Sequence, residues 1–279
     1  MAVNLTTKFT KHVDEMFTSE SKKSLLTNDD FDWTGAHTIR VHKVNTVEMN
    51  DYDRNGSGGD DSRYGALGSL GNTLEDLTLK KDRSFTFVID KLDKDETGGV
   101  LSGASALARQ QREVIIPEVD AYTYKVMAEG AGTKVTDVAL TAENIYDEII
   151  KGTELLDDAS VPDVGRVLTV TPHVYRLMKK NPDLNLDCDV SAEQRLKGVI
   201  AMVDGMDVVK VPSKRMPAKM GFMIAHPVAT VAPTKLDDYK IHQDPPGISG
   251  ELVEGRICYD AFVLDNKKIA IYYVEDKTV

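Results

Sequence analysis

The stretch from Gly99 to Gly130 constrains this chain more than any other, because a helix of that length cannot be swallowed by a small compact domain. Side chains able to face a core recur at helical spacing through Leu101, Ala104, Leu107 or Ala108, Gln111, Ile115, Val119, Tyr122 and Val126, with Gly130 and Gly132 as stop signals. About thirty residues at 1.5 Å rise span roughly 45 Å. Pro117 lies inside this run. It has no N–H to offer the carbonyl four residues back, so a bend or break is predicted there.

Upstream the pattern is extended. Met1 to about Asp30 is polar, and its amphipathic hint through Val13, Met16 and Phe17 is too short to hold a helix alone, so it reads as an extended arm. Thr38 to Val44 alternates polar and apolar side chains, the period of a strand with one solvated face. Asn50 to Asn72 loses all periodicity and fills with Gly, Asp, Ser and Arg, which predicts a long flexible loop. Alternation resumes from Leu74 to Leu92, through Leu77 and Leu79 and then Phe85, Phe87 and Ile89. Two strands around one loop predict a single projecting hairpin.

Downstream, helices and strands mix. Thr141 is placed to cap a helix whose apolar face is Ile145, Ile149 and Leu156, with Leu140 and Ile145 as a hydrophobic staple and an end before Val161-Pro162. Arg166 to Val170 reads as a buried strand, and Thr171-Pro172 opens a helix ending at Lys179-Lys180. Ser191 to Gln194 carries a capping-box signature. Val199 to Val203, Asp204-Gly205 and Met206 to Val211 predict a hairpin. The last sixty or so residues are strand-like, broken at Pro227, Pro233 and Pro245-Pro246-Gly247, with Asp265-Asn266 as the final turn. The class is α+β with a mixed or antiparallel sheet.

Composition narrows the function. The 279 residues suffice for one large domain or two modest ones. A net charge of −11 and a pI near 5.1 argue against a general nucleic-acid binder, which needs clustered Lys and Arg. The start MAVNLTTKFTKHVDEM lacks the apolar stretch of a signal peptide, and no run of about eighteen apolar residues could span a membrane. A cytoplasmic setting follows, in which Cys188 and Cys258 are expected as free thiols.

No constellation for catalysis or for a cofactor emerges. The histidines at 12, 37, 42, 173, 226 and 242 are scattered, neither cysteine belongs to a C-x-x-C pair, and Gly130-Ala131-Gly132-Thr133-Lys134 lacks the spacer of a phosphate loop. Asp51, Asp53, Asn55 and Gly56 have the spacing of a calcium loop, but Ser62 stands where the bidentate Glu belongs. They are a weak metal candidate, and turn chemistry explains the same residues. Not being an enzyme is the expectation. Tyr52, Arg54, Arg63 and Tyr64 in the loop, with Phe85 and Phe87 after it, are the candidate contacts to another subunit.

This order of segments resembles the Hong Kong 97 capsid fold of tailed bacteriophages. The wording is similar too, in Ile115-Ile116-Pro117-Glu118-Val119-Asp120-Ala121-Tyr122, Val167-Leu168-Thr169-Val170-Thr171-Pro172, Gly205-Met206-Asp207-Val208-Val209-Lys210-Val211-Pro212 and Tyr259-Asp260-Ala261-Phe262-Val263-Leu264. The resemblance implies an N-terminal arm at 1–30 and an E-loop hairpin at 46–91. It implies a peripheral P-domain from 31–45, 92–132 and 225–267 with its spine helix at 99–130, and an axial A-domain from 133–224 and 268–279. Such a major capsid protein forms pentamers and hexamers that close an icosahedral virion shell around double-stranded DNA, with no membrane involved. Assembly in the host bacterial cytoplasm with a portal is part of the expectation; no scaffolding segment is seen ahead of the arm, so either a separate scaffolding protein takes part or none is needed. Some relatives crosslink a loop lysine to a neighbour; Lys80, Lys81 and Lys91 lie near the right loop. The rival readings are an encapsulin, which shares the fold but encloses cargo protein, and more remotely a soluble enzyme.

Overall fold

The computed structural model describes residues 20–28, 31, 33, 37–56, 62–65, 69–98, 102–184 and 199–278. They form an α+β chain of two compact units, Trp33–Leu79 and a larger one holding the rest. Among the described residues no helix is long and apolar enough to cross a membrane.

The smaller unit is built on a two-stranded antiparallel ribbon, β1 (Thr38–Val44) and β2 (Asn72–Thr78), running in unbroken register from Thr38 opposite Thr78 to Val44 opposite Asn72. Cross-strand pairs hold it: Arg40 to Asp76 at 2.7 Å and Lys43 to Glu75 at 2.6 Å. Asn45 N–H donates to the Gly71 carbonyl (3.0 Å) and closes the ribbon's loop end. The expected hairpin is therefore present, but its second strand is shorter than the sequence pattern suggested. Alternation continues through Leu79 and Lys80 with no Gly or Pro to mark a boundary, yet β3 (Lys81–Asp90) pairs in a different sheet.

A short helix that the pattern missed, α1 (Lys91–Glu96), follows, capped by the Asp90 side chain accepting from Leu92 N–H. The expected rod then runs continuously as α2 (Gly103–Gln110), a π-turn (Gln111–Ile115) and α3 (Ile116–Gly130), with Ser102 capping its start. Pro117 neither breaks nor ends it. In a plain α-helix residue 117 would have to donate to the carbonyl of residue 113; instead Ile116 N–H reaches five residues back to Gln111, and Pro117 falls in the first turn of α3, where a missing N–H costs nothing.

The chain continues through β4 (Thr133–Val138), α4 (Ile145–Asp158), β5 (Val167–Val170), α5 (Pro172–Met178), β6 (Val199–Val203), β7 (Met206–Lys210), β8 (Met220–Ala225), β9 (Thr230–Val231), β10 (Thr234–Gln243), β11 (Gly250–Tyr259), β12 (Phe262–Val263) and β13 (Ile271–Asp276). The main sheet is mixed, ordered β4-β13-β8-β5-β7-β6. Every residue of β5 and β8 is buried, as in strands covered on both faces. Helix α4 turns Ile145, Ile149 and Leu156 inward, and Gly152 lets it sit close, since a Cβ there would come within 2.7 Å of the Tyr272 ring. The local signals read as expected: Thr141 and Asn144 cap each other's N–H groups, Thr171 caps α5, and Asp204-Gly205, both with positive φ, turn β6 into β7. The last turn is longer than expected, a 3₁₀ segment over Asp265–Ala270, so Ile269 precedes the strand. The segment Ser191 to Gln194 and Cys188 lie outside the described residues; Cys258 is a half-buried free thiol on β11.

A second, antiparallel sheet, β10-β11-β3, lines up along the rod. The start of α2 is fastened to it by Glu251, whose carboxylate accepts from Lys94 (2.5 Å), Gln243 (3.1 Å) and Gly103 N–H (2.5 Å). These donors, the Lys94 ammonium foremost, hold the Glu251 carboxyl down at about 2. Its folded value lies below the unfolded one, so the stabilisation is complete above about pH 4.5 and is lost as pH falls toward 2. Glu251→Gln is expected to cost about 1.5–3 kcal/mol at pH 7, the worth of charged hydrogen bonds, and to differ progressively less from the parent below pH 4. Thermal unfolding across that range measures both; a constant gap would overturn the assignment.

Candidate assembly surfaces

The described residues contain no group of three or more His, Cys, Asp or Glu side chains able to hold a metal ion. What they present instead are surfaces. The segment after β1 is not featureless: Asp53 N–H donates to the Arg63 carbonyl (2.9 Å), and the Tyr52 and Tyr64 rings meet edge to face with centroids 5.0 Å apart. Asp53 Oδ1 accepts from the N–H groups of Asn55 (2.8 Å) and Gly56 (2.9 Å), a turn that uses the oxygen a calcium ion would have wanted. Gly65, at φ +90°, leaves room for Asn50, whose amide would otherwise lie 2.7 Å from a Cβ.

The described residues of this end of the hairpin expose much apolar surface. Met49 is 98% exposed and Tyr64 76%, with Val44, Val47, Leu70 and Leu74 each more than half exposed. Arg54 and Arg63 are exposed beside the tyrosines. Of the residues the sequence singled out, Tyr52, Arg54, Arg63 and Tyr64 lie together in the smaller unit, and Phe85 and Phe87 lie on β3 in the larger one. Those two stack on each other (6.1 Å) on β3, half-buried, and Phe85 also meets Tyr239 over Gly255, which has no side chain to fill the space. Lys81 sits 4.9 Å over the Tyr122 ring, and Lys80 and Lys91 are exposed.

Among the buried carboxylates that the sequence did not single out, Asp260 and Asp120 tie distant parts of the chain together. Asp260 accepts from Lys80 N–H (2.7 Å), Tyr122 Oη (2.7 Å) and Ala261 N–H (2.8 Å), tying the start of β3, the rod and the end of β11 at one point. Burial, and then the Asp260 hydrogen bond, push the Tyr122 phenol well above its ordinary range. Asp120, 1% exposed within α3, accepts from Arg215 (2.9 Å) and from Ser21 (2.6 Å), and Arg215 also donates to the Glu20 carbonyl (3.3 Å). With Leu26 fully buried and Asn28 donating to the Pro227 carbonyl, this seats residues 20–28 on the larger unit. A signal existed: Asp120 shares the inward stripe of Val119, Thr123 and Tyr124, and a carboxylate there needs a partner.

Neither a family model nor a curated protein matches this sequence. Solved structures do. A chain of Mycobacterium phage Che8 superposes with a TM-score of 0.75 at 18% identity, over 98% of this chain and 96% of its own. The capsid structure of Cyanophage P-SCSP1u gives 0.74 at 13% identity, over 98% and 92%. The mature capsid of bacteriophage PhiM1 gives 0.67 at 15% identity, over 100% and 93%. Over its whole length, this chain therefore has the fold of the chains that make up phage capsids.

Proposed function

We propose that this chain is the major coat protein of a tailed bacteriophage, a shell subunit of the Hong Kong 97 type. The observation that carries the reading is the end-to-end likeness to chains of phage capsid structures, with nothing large left over on either side. In this reading the unit Trp33–Leu79 is the E-loop, and the rod with the β10-β11-β3 sheet forms the P-domain. The six-stranded sheet with α4 and α5 is the axial A-domain, and residues 20–28 are the docked end of the N-arm. The apolar tip then has its use: solvent-exposed Met49, Val47 and Tyr64 are costly on a free subunit and are covered when the hairpin lies across a neighbour. Pentamers and hexamers close a shell around double-stranded DNA in the host cytoplasm, with a separate scaffolding protein and a portal taking part.

Negative-stain microscopy of the purified protein, with a nucleic-acid assay on particles from infected or lysogenic cells, tests this. Closed icosahedral particles containing duplex DNA are expected. Particles holding cargo protein instead would make the chain an encapsulin, and a species of one subunit's mass that never assembles would overturn the shell reading.

A further inference from the structure

We propose that Lys179 and Lys210, both over the ring of Tyr175, form with Lys22 beside Lys210 a docking patch for the phosphate backbone of double-stranded DNA. The three come from distant parts of the chain. Lys179 at the end of α5 and Lys210 at the end of β7 place their ammonium groups 5.2 and 5.3 Å from the same Tyr175 centroid, and Lys22 Nζ donates to the Lys210 carbonyl at 3.3 Å. Lys179 and Lys210 are exposed. Nearby Arg215 is already answered by Asp120 at 2.9 Å. Partial burial first, and then the neighbouring Lys210 and Arg215 charges, lower the Lys22 ammonium from its ordinary value.

A local cluster of ammonium groups in a chain of net charge −11 suits an anion that brings several charges at once. Duplex DNA does so, with one charge per roughly 1.7 Å of axis. The patch uses lysines, compact point charges suited to phosphate contact that reads no sequence. Docking here rests on the shell reading above: one weak contact per subunit adds up over many copies, while the acidic remainder keeps the DNA from being gripped elsewhere.

The experiment uses the full chain and a short mixed-sequence duplex. Mass-spectrometric footprinting with an amine-acylating reagent should show Lys22, Lys179 and Lys210 protected by the duplex and Lys125, exposed on α3, unaffected. The slope of log affinity against log salt should fall in magnitude by about 0.9 for each of Lys22→Gln, Lys179→Gln and Lys210→Gln. With all three lysines present, a fourfold rise in salt should then weaken binding roughly 40-fold; Lys125→Gln should leave this unchanged. Absence of protection in the unmodified chain overturns the proposal without any variant having to fold, as does protection by polyglutamate but not by duplex. Shells seen by microscopy without protection would leave the coat-protein reading standing and remove only the patch.

Discussion

Replacing residues 46–70 by a short Gly-Ser linker is expected to leave a folded, soluble subunit that no longer closes shells. The cut falls inside the Asn45 to Gly71 hydrogen bond, so the β1–β2 ribbon and its Arg40–Asp76 and Lys43–Glu75 pairs survive. What goes is the tip with Tyr52, Tyr64 and Met49, whose exposed side chains add little to the subunit that carries them. In the coat-protein reading they are buried only against another copy, and losing one weak contact per subunit multiplies across a shell. Sedimentation velocity with microscopy decides. Normal shells from the shortened chain would refute the intersubunit role, whereas a circular dichroism spectrum unlike the parent's would place the tip in the fold itself.

Arg215→Ala is expected to destabilise the fold by about 3–5 kcal/mol, because it strands Asp120 as a buried, uncompensated carboxylate. At the size of these units that corresponds to a fall in Tm on the order of 10 °C. It should also loosen residues 20–28, since Arg215 holds the Glu20 carbonyl and Asp120 holds Ser21. Limited trypsin digestion should therefore cut sooner at Lys22 and Lys23. Removing both charges together, as Arg215→Met with Asp120→Leu, should recover most of the Tm. If the single variant unfolds like the parent, the pair does not carry the docking.

Why some of this was readable beforehand and some was not follows from range. Thr171-Pro172, the Thr141 cap and Asp204-Gly205 act within a few residues, so the sequence displays both partners of each interaction. The rod was visible because a helical period over that many residues has no rival interpretation. The boundary at Leu79-Lys80 was not, because β2 and β3 alternate alike and only their partners, β1 and β11, distinguish them. Asp260 and Asp120 were hidden for the same reason: Lys80 is 180 residues from Asp260, and Arg215 is 95 from Asp120. In the candidate surface, the loop's composition did not display the Tyr52–Tyr64 contact or the Asp53–Arg63 bond, which have no periodic signature. For Phe85 and Phe87 the sequence shows an alternating aromatic pair, and not that the two stack on each other or that Phe85 meets Tyr239.

The π-turn carries a consequence for how this protein can vary. Each residue advances a helix by about 100°, so the extra residue held over Gln111–Ile115 sets the angular phase between two stretches with different attachments. One is Gly103, bonded to Glu251; the other is Asp120 and Tyr122, bonded to Arg215 and Asp260. Substitutions at the exposed positions Arg112 to Val114 leave that phase alone. A one-residue insertion or deletion does not: it swings one set of attachments about a quarter turn past its partners. In this part of the chain, the length of the rod is more tightly constrained than its lettering.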